Sequence, residues 1–242
     1  MNIVENAYAK INVFLDVTSM LPDGYHSIRT VMQSVSLCDT LYMDVELAEK
    51  TEISLSVVGG DSVPADDSNL VCRAARLYLE RADIHARVHV RMEKRIPVGA
   101  GLGGGSSDAA AALRGMNRVL SAFSDDDLRN LAVALGSDVV FCLGGGSALC
   151  EGRGEIITPI ELPTMHLVIA IGEGRVSTPA AYRALDERFL RFDGSVESGG
   201  VTVFADMIPS LRGESDRLFN IFEEAIIPLC GTPSIRTPIS GV

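Results

Sequence analysis

The stretch from Pro97 to Asp108, Pro-Val-Gly-Ala-Gly-Leu-Gly-Gly-Gly-Ser-Ser-Asp, limits what this chain can fold into more than any other. Its glycines are Gly99, Gly101, Gly103, Gly104 and Gly105, and the alanines Ala109 to Ala112 follow the aspartate. Glycine lacks a Cβ, so backbone N–H groups can turn toward one point and a ligand can come close. Ser106 or Ser107 offers an N-cap, and the alanine run favours helix. The pattern predicts a glycine-rich loop that opens a helix, with unpaired first-turn N–H groups that attract a phosphate. Two other glycine signatures fit less well. The P-loop needs a lysine after its last glycine, and none follows here. Gly99-x-Gly101-x-x-Gly104 has the dinucleotide spacing, but it lies in mid-chain behind Pro97, and the next acids, Asp125 to Asp127, sit at a helix start rather than a strand end.

A phosphate ligand must be held locally, because the chain as a whole repels it. The net charge is −11 over 242 residues, which argues against a general binder of nucleic acid or of an anionic membrane. That length suits one large or two small domains with a real core. The cysteines, Cys38, Cys72, Cys142, Cys150 and Cys230, are odd in number and form no C-x-x-C pair, so reduced thiols are expected and zinc is not. No apolar run approaches the ~20 residues of a membrane span. Glu5 and Lys10 interrupt the N-terminal region, so no signal peptide is expected and the cytoplasm is the expected compartment.

Alternation predicts strands over 3–16, 36–47, 52–58 and 84–92. Lys10 and Asn12 share one face of the first strand, where a lysine serves either a solvated surface or a phosphate or carboxylate. Leu21-Pro22-Asp23-Gly24 is a turn, followed by Tyr25 and His26, which suit ordinary packing or contact with a base. Asn69 caps a helix running to about Ala82, and the glycine-loop helix runs to about Leu120. Ser124-Asp125-Asp126-Asp127 opens a helix that ends at Leu135 before Gly136, and those aspartates read as structural. Asp138 stands just ahead of an apolar run, either as a cap or as a fixed carboxylate for a substrate hydroxyl. Gly152 and Gly154 predict a tight hairpin. A domain boundary is expected near residue 158, giving domains 1–157 and 158–242, with a strand over Met165 to Ile171 and a helix opening at Ser177-Thr178-Pro179.

The glycine stretch resembles the second motif of the GHMP kinases, and its wording is similar to that of the 4-diphosphocytidyl-2-C-methyl-D-erythritol kinases. Ala9-Lys10-Ile11-Asn12, Pro22-Asp23-Gly24-Tyr25-His26 and Met32-Gln33 resemble the N-terminal signature of that family. Gly136-Ser137-Asp138-Val139-Val140-Phe141 and Glu151-Gly152-Arg153-Gly154-Glu155 extend the likeness in the same order. The resemblance implies an α+β GHMP kinase fold, with an N-terminal ATP-binding domain like ribosomal protein S5 domain 2 and a ferredoxin-like C-terminal domain. It implies transfer of a phosphoryl group from ATP, with Mg2+, to the 2-hydroxyl of 4-diphosphocytidyl-2-C-methyl-D-erythritol, by a monomer or homodimer. Asp138 is then the base and Lys10 its catalytic partner. Pro97, Gly99, Gly101, Leu102, Gly103, Gly104, Gly105, Ser106 and Ser107 hold ATP, with Asn69 and Lys94 beside it and Ser106 or Ser107 at the Mg2+. Tyr25 and Tyr182 sandwich the cytosine that His26 also holds, with Thr178 nearby and Asn12 near the methylerythritol end.

The likeness weakens after Tyr182. Leu218 to Glu223 resembles a helix start of the family. The family's third motif, Gly-Ser-Gly-Ala-Thr-Val-Phe, is not found after Asn220, and Ser198 to Phe204 looks like it but stands too early. The C-terminal domain is accordingly expected to be truncated or altered. Two alternatives stay open: another small-molecule kinase of the superfamily, such as homoserine kinase, and a homologue that binds ligand without turnover.

Overall fold

The computed structural model describes residues 1–60, 62–169 and 178–189, and the backbone of 219–220. Two long strands organise it: β1 (Asn2–Met20) and β2 (His26–Leu47). The chain divides into two compact units, and the division cuts both strands. The first unit comprises Met1–Ile11 and Gln33–Gly146, and the second Asn12–Met32 and Ser147–Val242. This differs from a single cut after residue 157. The hairpin end of β1 and β2, far earlier in sequence, groups with the C-terminal part.

In the first unit, β3 (Glu52–Val58) and β4 (Ala86–Glu93) pair in parallel, and β4 pairs antiparallel with the C-terminal part of β2, Thr40 opposite Glu93 and Leu47 opposite Ala86. The strand order is β3-β4-β2-β1. In β4 Ala86, Val88, Val90 and Met92 are wholly buried, while Arg87 and His89 between them are exposed. Such alternation marks a sheet covered on one face only. The helices are α1 (Leu70–Ala82), α2 (Gly104–Leu120), α3 (Asp125–Leu135) and α4 (Ser137–Gly144). Helix α2 packs against α1, α3 and α4. Its residues Ala109 to Ala112 are entirely buried, and their small side chains let neighbours approach from several sides.

The helix boundaries follow their caps. Asn69 Oδ1 accepts from the Val71 amide at 2.8 Å to open α1, and the Ser124 hydroxyl accepts from Asp127 to open α3. His85 and His89 bond Thr51 and Ser54, and no cluster of three or more metal-ligating side chains occurs among the described residues. Cys72, Cys142 and Cys150 are buried free thiols; burial pushes Cys142 up to about 12.

In the second unit, β5 (Ser147–Gly152) and β6 (Ile156–Pro159) form the expected hairpin, closed by Gly154 donating to the Glu151 carbonyl at 3.0 Å. The short strand β7 (Phe219–Asn220) pairs in parallel with β1, Phe14 opposite Phe219. Asn220 is thus in a strand rather than a helix start. Helix α5 (Thr178–Phe189) buries Leu185 against Val17 and Ile28. The expected strand from Met165 is not formed over 165–169. Leu167 and Val168 stay exposed there, with no neighbouring strand to pair with among the described residues. Ser177 and the Ser198–Phe204 stretch lie outside the described residues. No helix among the described residues is long and apolar enough to cross a membrane.

Ser124→Ala removes the cap of α3 and is expected to cost about 1 kcal/mol of folding stability, read by urea denaturation.

Candidate active site

The glycine loop is fastened to β1. The Lys10 amide donates to the Leu102 carbonyl at 2.9 Å. Gly103 has φ +68, and a Cβ there would stand 2.8 Å from Lys10 Cγ. The Lys10 stem therefore crosses the loop at the one place where a side chain would block it, and only glycine takes that backbone conformation without strain. Helix α2 starts at Gly104 with Gly103 as its N-cap and no side-chain cap. Neither Ser106 nor Ser107 caps it; both lie in its first turn, and the Ser107 hydroxyl donates back to the Gly104 carbonyl at 2.9 Å. A helix N-terminus without a side-chain cap keeps its first-turn N–H groups for an anion.

Beneath the loop lies a buried ion group. Lys94 Nζ donates to Asp108 Oδ2 at 2.6 Å and to Asp39 Oδ2. Side-chain exposures are 5% for Lys94, 0% for Asp39 and 4% for Asp108. Asp39 Oδ1 also accepts from the Ile96 and Arg95 amides, at 2.8 and 2.5 Å. Lys94 is thus engaged by two carboxylates, and a Cβ on Gly104 would lie 3.0 Å from its Nζ. Burial pushes the Asp108 carboxyl up to about 7, Lys94 opposing the shift and Asp39 adding to it. Beside this group opens a cavity of about 350 Å³ whose wall includes Pro97, Gly99, Gly101 to Ser106, Asn69 and Pro64. The Asn69 amide nitrogen donates to the Pro64 carbonyl at 2.7 Å, which ties the start of α1 into that wall.

Asp138 stands in the first turn of α4, after Gly136 breaks α3. Its Oδ2 is 3.3 Å from Lys10 Nζ. Lys10 is buried, with 9% of its side chain exposed, while Asp138 is 36% exposed. A half-open carboxylate held by a fixed lysine can reach a hydroxyl presented from solvent.

The second unit holds another set. Asn12 donates to the Thr30 hydroxyl at 2.7 Å. His26 Nε2 is 2.6 Å from Asp186 Oδ1, and the His26 ring stacks on Tyr182 with centroids 4.6 Å apart. Tyr25 is exposed after the turn at Gly24, with the Arg153 guanidinium 4.2 Å over its ring. Arg153 also bonds Asp23. The aromatic partner of Tyr182 is therefore His26, and that of Tyr25 is a cation. Thr178 is the first residue of α5, one turn before Tyr182.

Comparison with known proteins gives the family and the fold. Residues 69–146 match the GHMP kinases N terminal domain. The 4-diphosphocytidyl-2-C-methyl-D-erythritol kinase of Bacillus subtilis is 40% identical over 234 residues, covering 95% of this chain and 78% of the relative. This chain belongs to that family of GHMP kinases. The corresponding enzyme of Caldicellulosiruptor saccharolyticus is 46% identical over 182 residues, and the match covers 74% of this chain and 62% of that relative's own length. A crystal structure of 4-(cytidine 5'-diphospho)-2C-methyl-D-erythritol kinase superposes with a TM-score of 0.72 at 35% identity, covering 94% of this chain and 78% of that one. The fold is the α+β GHMP kinase fold.

Four residues at these sites escape a reading of the sequence. Asp39 sits in an alternating strand with no local cue. Asp186 and Arg153 meet His26 and Tyr25 only through the fold. Asp108 alone carries a signal: a carboxylate directly ahead of four alanines.

Gly103→Ala is expected to cost about 1–3 kcal/mol of stability and to displace Lys10, read as a loss of melting temperature together with weakened ADP binding. Asp108 gives a pH dependence of definite sign. Its folded value, about 7, lies above its ordinary 3.8, so the folded chain keeps a proton that the unfolded chain releases first. The associated stability is present below pH 3.8 and is lost as pH rises through about 7. Asp108→Asn is expected to flatten the fall of melting temperature over that window in the ligand-free chain.

Proposed function

We propose that this chain transfers the γ-phosphoryl group of ATP to the 2-hydroxyl of 4-diphosphocytidyl-2-C-methyl-D-erythritol in the cytoplasm, a step of the non-mevalonate isoprenoid route. One observation carries the reading: Lys10 touches both halves of a phosphoryl-transfer site. Its stem lies over Gly103 of the anion-binding loop, and its Nζ lies 3.3 Å from the Asp138 carboxylate. Phosphoryl transfer depends mainly on positioning and charge stabilisation, and this lysine supplies both.

Asp138 accepts the proton of the substrate hydroxyl as its oxygen bonds to phosphorus and ADP leaves. Lys10 holds that carboxylate in place and opposes the negative charge that builds on the transferred group. The N–H groups at the start of α2 bind the phosphates, and the wall formed by Asn69, Pro64 and Pro97 receives the nucleotide. Mg2+, when bound, would supply charge neutralisation at the phosphates, and the Ser106 hydroxyl on the cavity wall would help to hold it. Tyr25 and His26 recognise the cytidine end, with Tyr182 behind the His26 ring.

ADP release from Mg-ATP, with and without 4-diphosphocytidyl-2-C-methyl-D-erythritol, tests the reading. Release should depend on that compound and fall about 1,000-fold in Asp138→Asn while its binding persists. Release indifferent to the compound, or retained in the variant, contradicts it. Tyr25→Ala should raise KM for the cytidylyl compound about tenfold with kcat little changed; an unaltered KM removes Tyr25 from the base site.

A further inference from the structure

The ion group under the glycine loop is unbalanced. With both carboxyls ionised, Lys94 contributes one positive charge against the two negative ones of Asp39 and Asp108. Asp39 is fully occupied: one oxygen meets Lys94 and the other accepts two backbone amides. Asp108 is not. Its Oδ2 meets Lys94, while its Oδ1 is buried with no hydrogen-bond partner. Asp108 also lines the cavity beside the loop. A buried carboxylate oxygen left without a partner is unfavourable, and native structures that retain one usually do so for a reason.

The chemistry of that oxygen narrows its partner. A phosphate oxygen would be repelled by it. A neutral donor would satisfy the oxygen but leave the surplus negative charge. A divalent cation answers both, because hard cations take carboxylate and hydroxyl oxygens together. Ser106, which lines the same cavity, offers such a hydroxyl. Lys94, fixed in turn by Asp39, holds Oδ2 and so sets the direction of Oδ1.

We propose that Asp108 supplies a carboxylate oxygen, directly or through one water, to the divalent cation that accompanies the nucleotide. This rests on the nucleotide site described above. Lys94 and Asp39 are then positioning residues for that ligand.

Mn2+ is the probe. Its affinity for the chain saturated with ADP is read by electron paramagnetic resonance, and ADP affinity without metal is read by calorimetry in EDTA. Asp108→Asn should weaken Mn2+ about 10- to 100-fold, well beyond any loss of metal-free ADP binding, which reads only the residue's share in anchoring the loop. Electron–nuclear double resonance adds a reading that needs no change at Asp108. In a chain carrying carboxylate-13C aspartate and Asp138→Asn, Mn-ADP should show a 13C coupling. Unchanged Mn2+ affinity in Asp108→Asn, a parallel loss of metal-free and metal-bound ADP, or an absent coupling overturns the proposal. Failure of the unaltered chain to bind ADP at all overturns the nucleotide reading itself, and this one with it.

Discussion

Lys94, held between Asp39 and Asp108 away from water, is the interaction on which the glycine loop depends. It joins three pieces that are distant in sequence: strand β2 through Asp39, the segment after β4 through Lys94 itself, and helix α2 through Asp108. Asp39 also pins the backbone of Arg95 and Ile96, the two residues just before Pro97. The glycine loop is thereby anchored on both sides, its entry by Asp39 and its exit by Asp108. Buried ion groups seldom add net stability over apolar packing, but removing one partner is costly because the others are left uncompensated. Such a group fits a position where geometry matters more than stability.

Lys10 fastens the same loop from the side of β1. Its amide is bonded to the loop, its stem passes over Gly103, and its ammonium reaches Asp138. A loop of glycines is conformationally costly to order. Here the order comes from a strand on one side and a helix on the other, so the loop needs little rigidity of its own. The same packing explains why Gly103 cannot carry a side chain, whereas a Cβ on Gly99 or Gly101 would meet nothing within 4 Å.

Much of this was legible in the sequence, and the parts that were not share a cause. Caps and periodicity are local, so Asn69, Ser124, the break at Gly136 and the strand alternation of 84–92 could be read directly. Ser106 and Ser107 imitate a cap, yet α2 starts at Gly104, because a glycine at the N-cap with an unassisted helix end leaves no side-chain signal. The division of the chain could not be read either, since it is made by two strands that each pass from one unit to the other. The stacking of Tyr182 on His26, and the pairing of Lys94 with two acids, arise from side chains far apart in sequence. Periodicity carries no information about which of them meet.

The central claim is that the buried Lys94 group holds the glycine loop in place. Hydrogen exchange of the backbone amides over 99–107, measured by mass spectrometry on Lys94→Met and on the unaltered chain, tests it most directly. The account predicts faster exchange confined to the loop and the first turn of α2, with β4 protected as before and ADP binding weakened. Unchanged exchange over 99–107, in a variant that is folded, would contradict it.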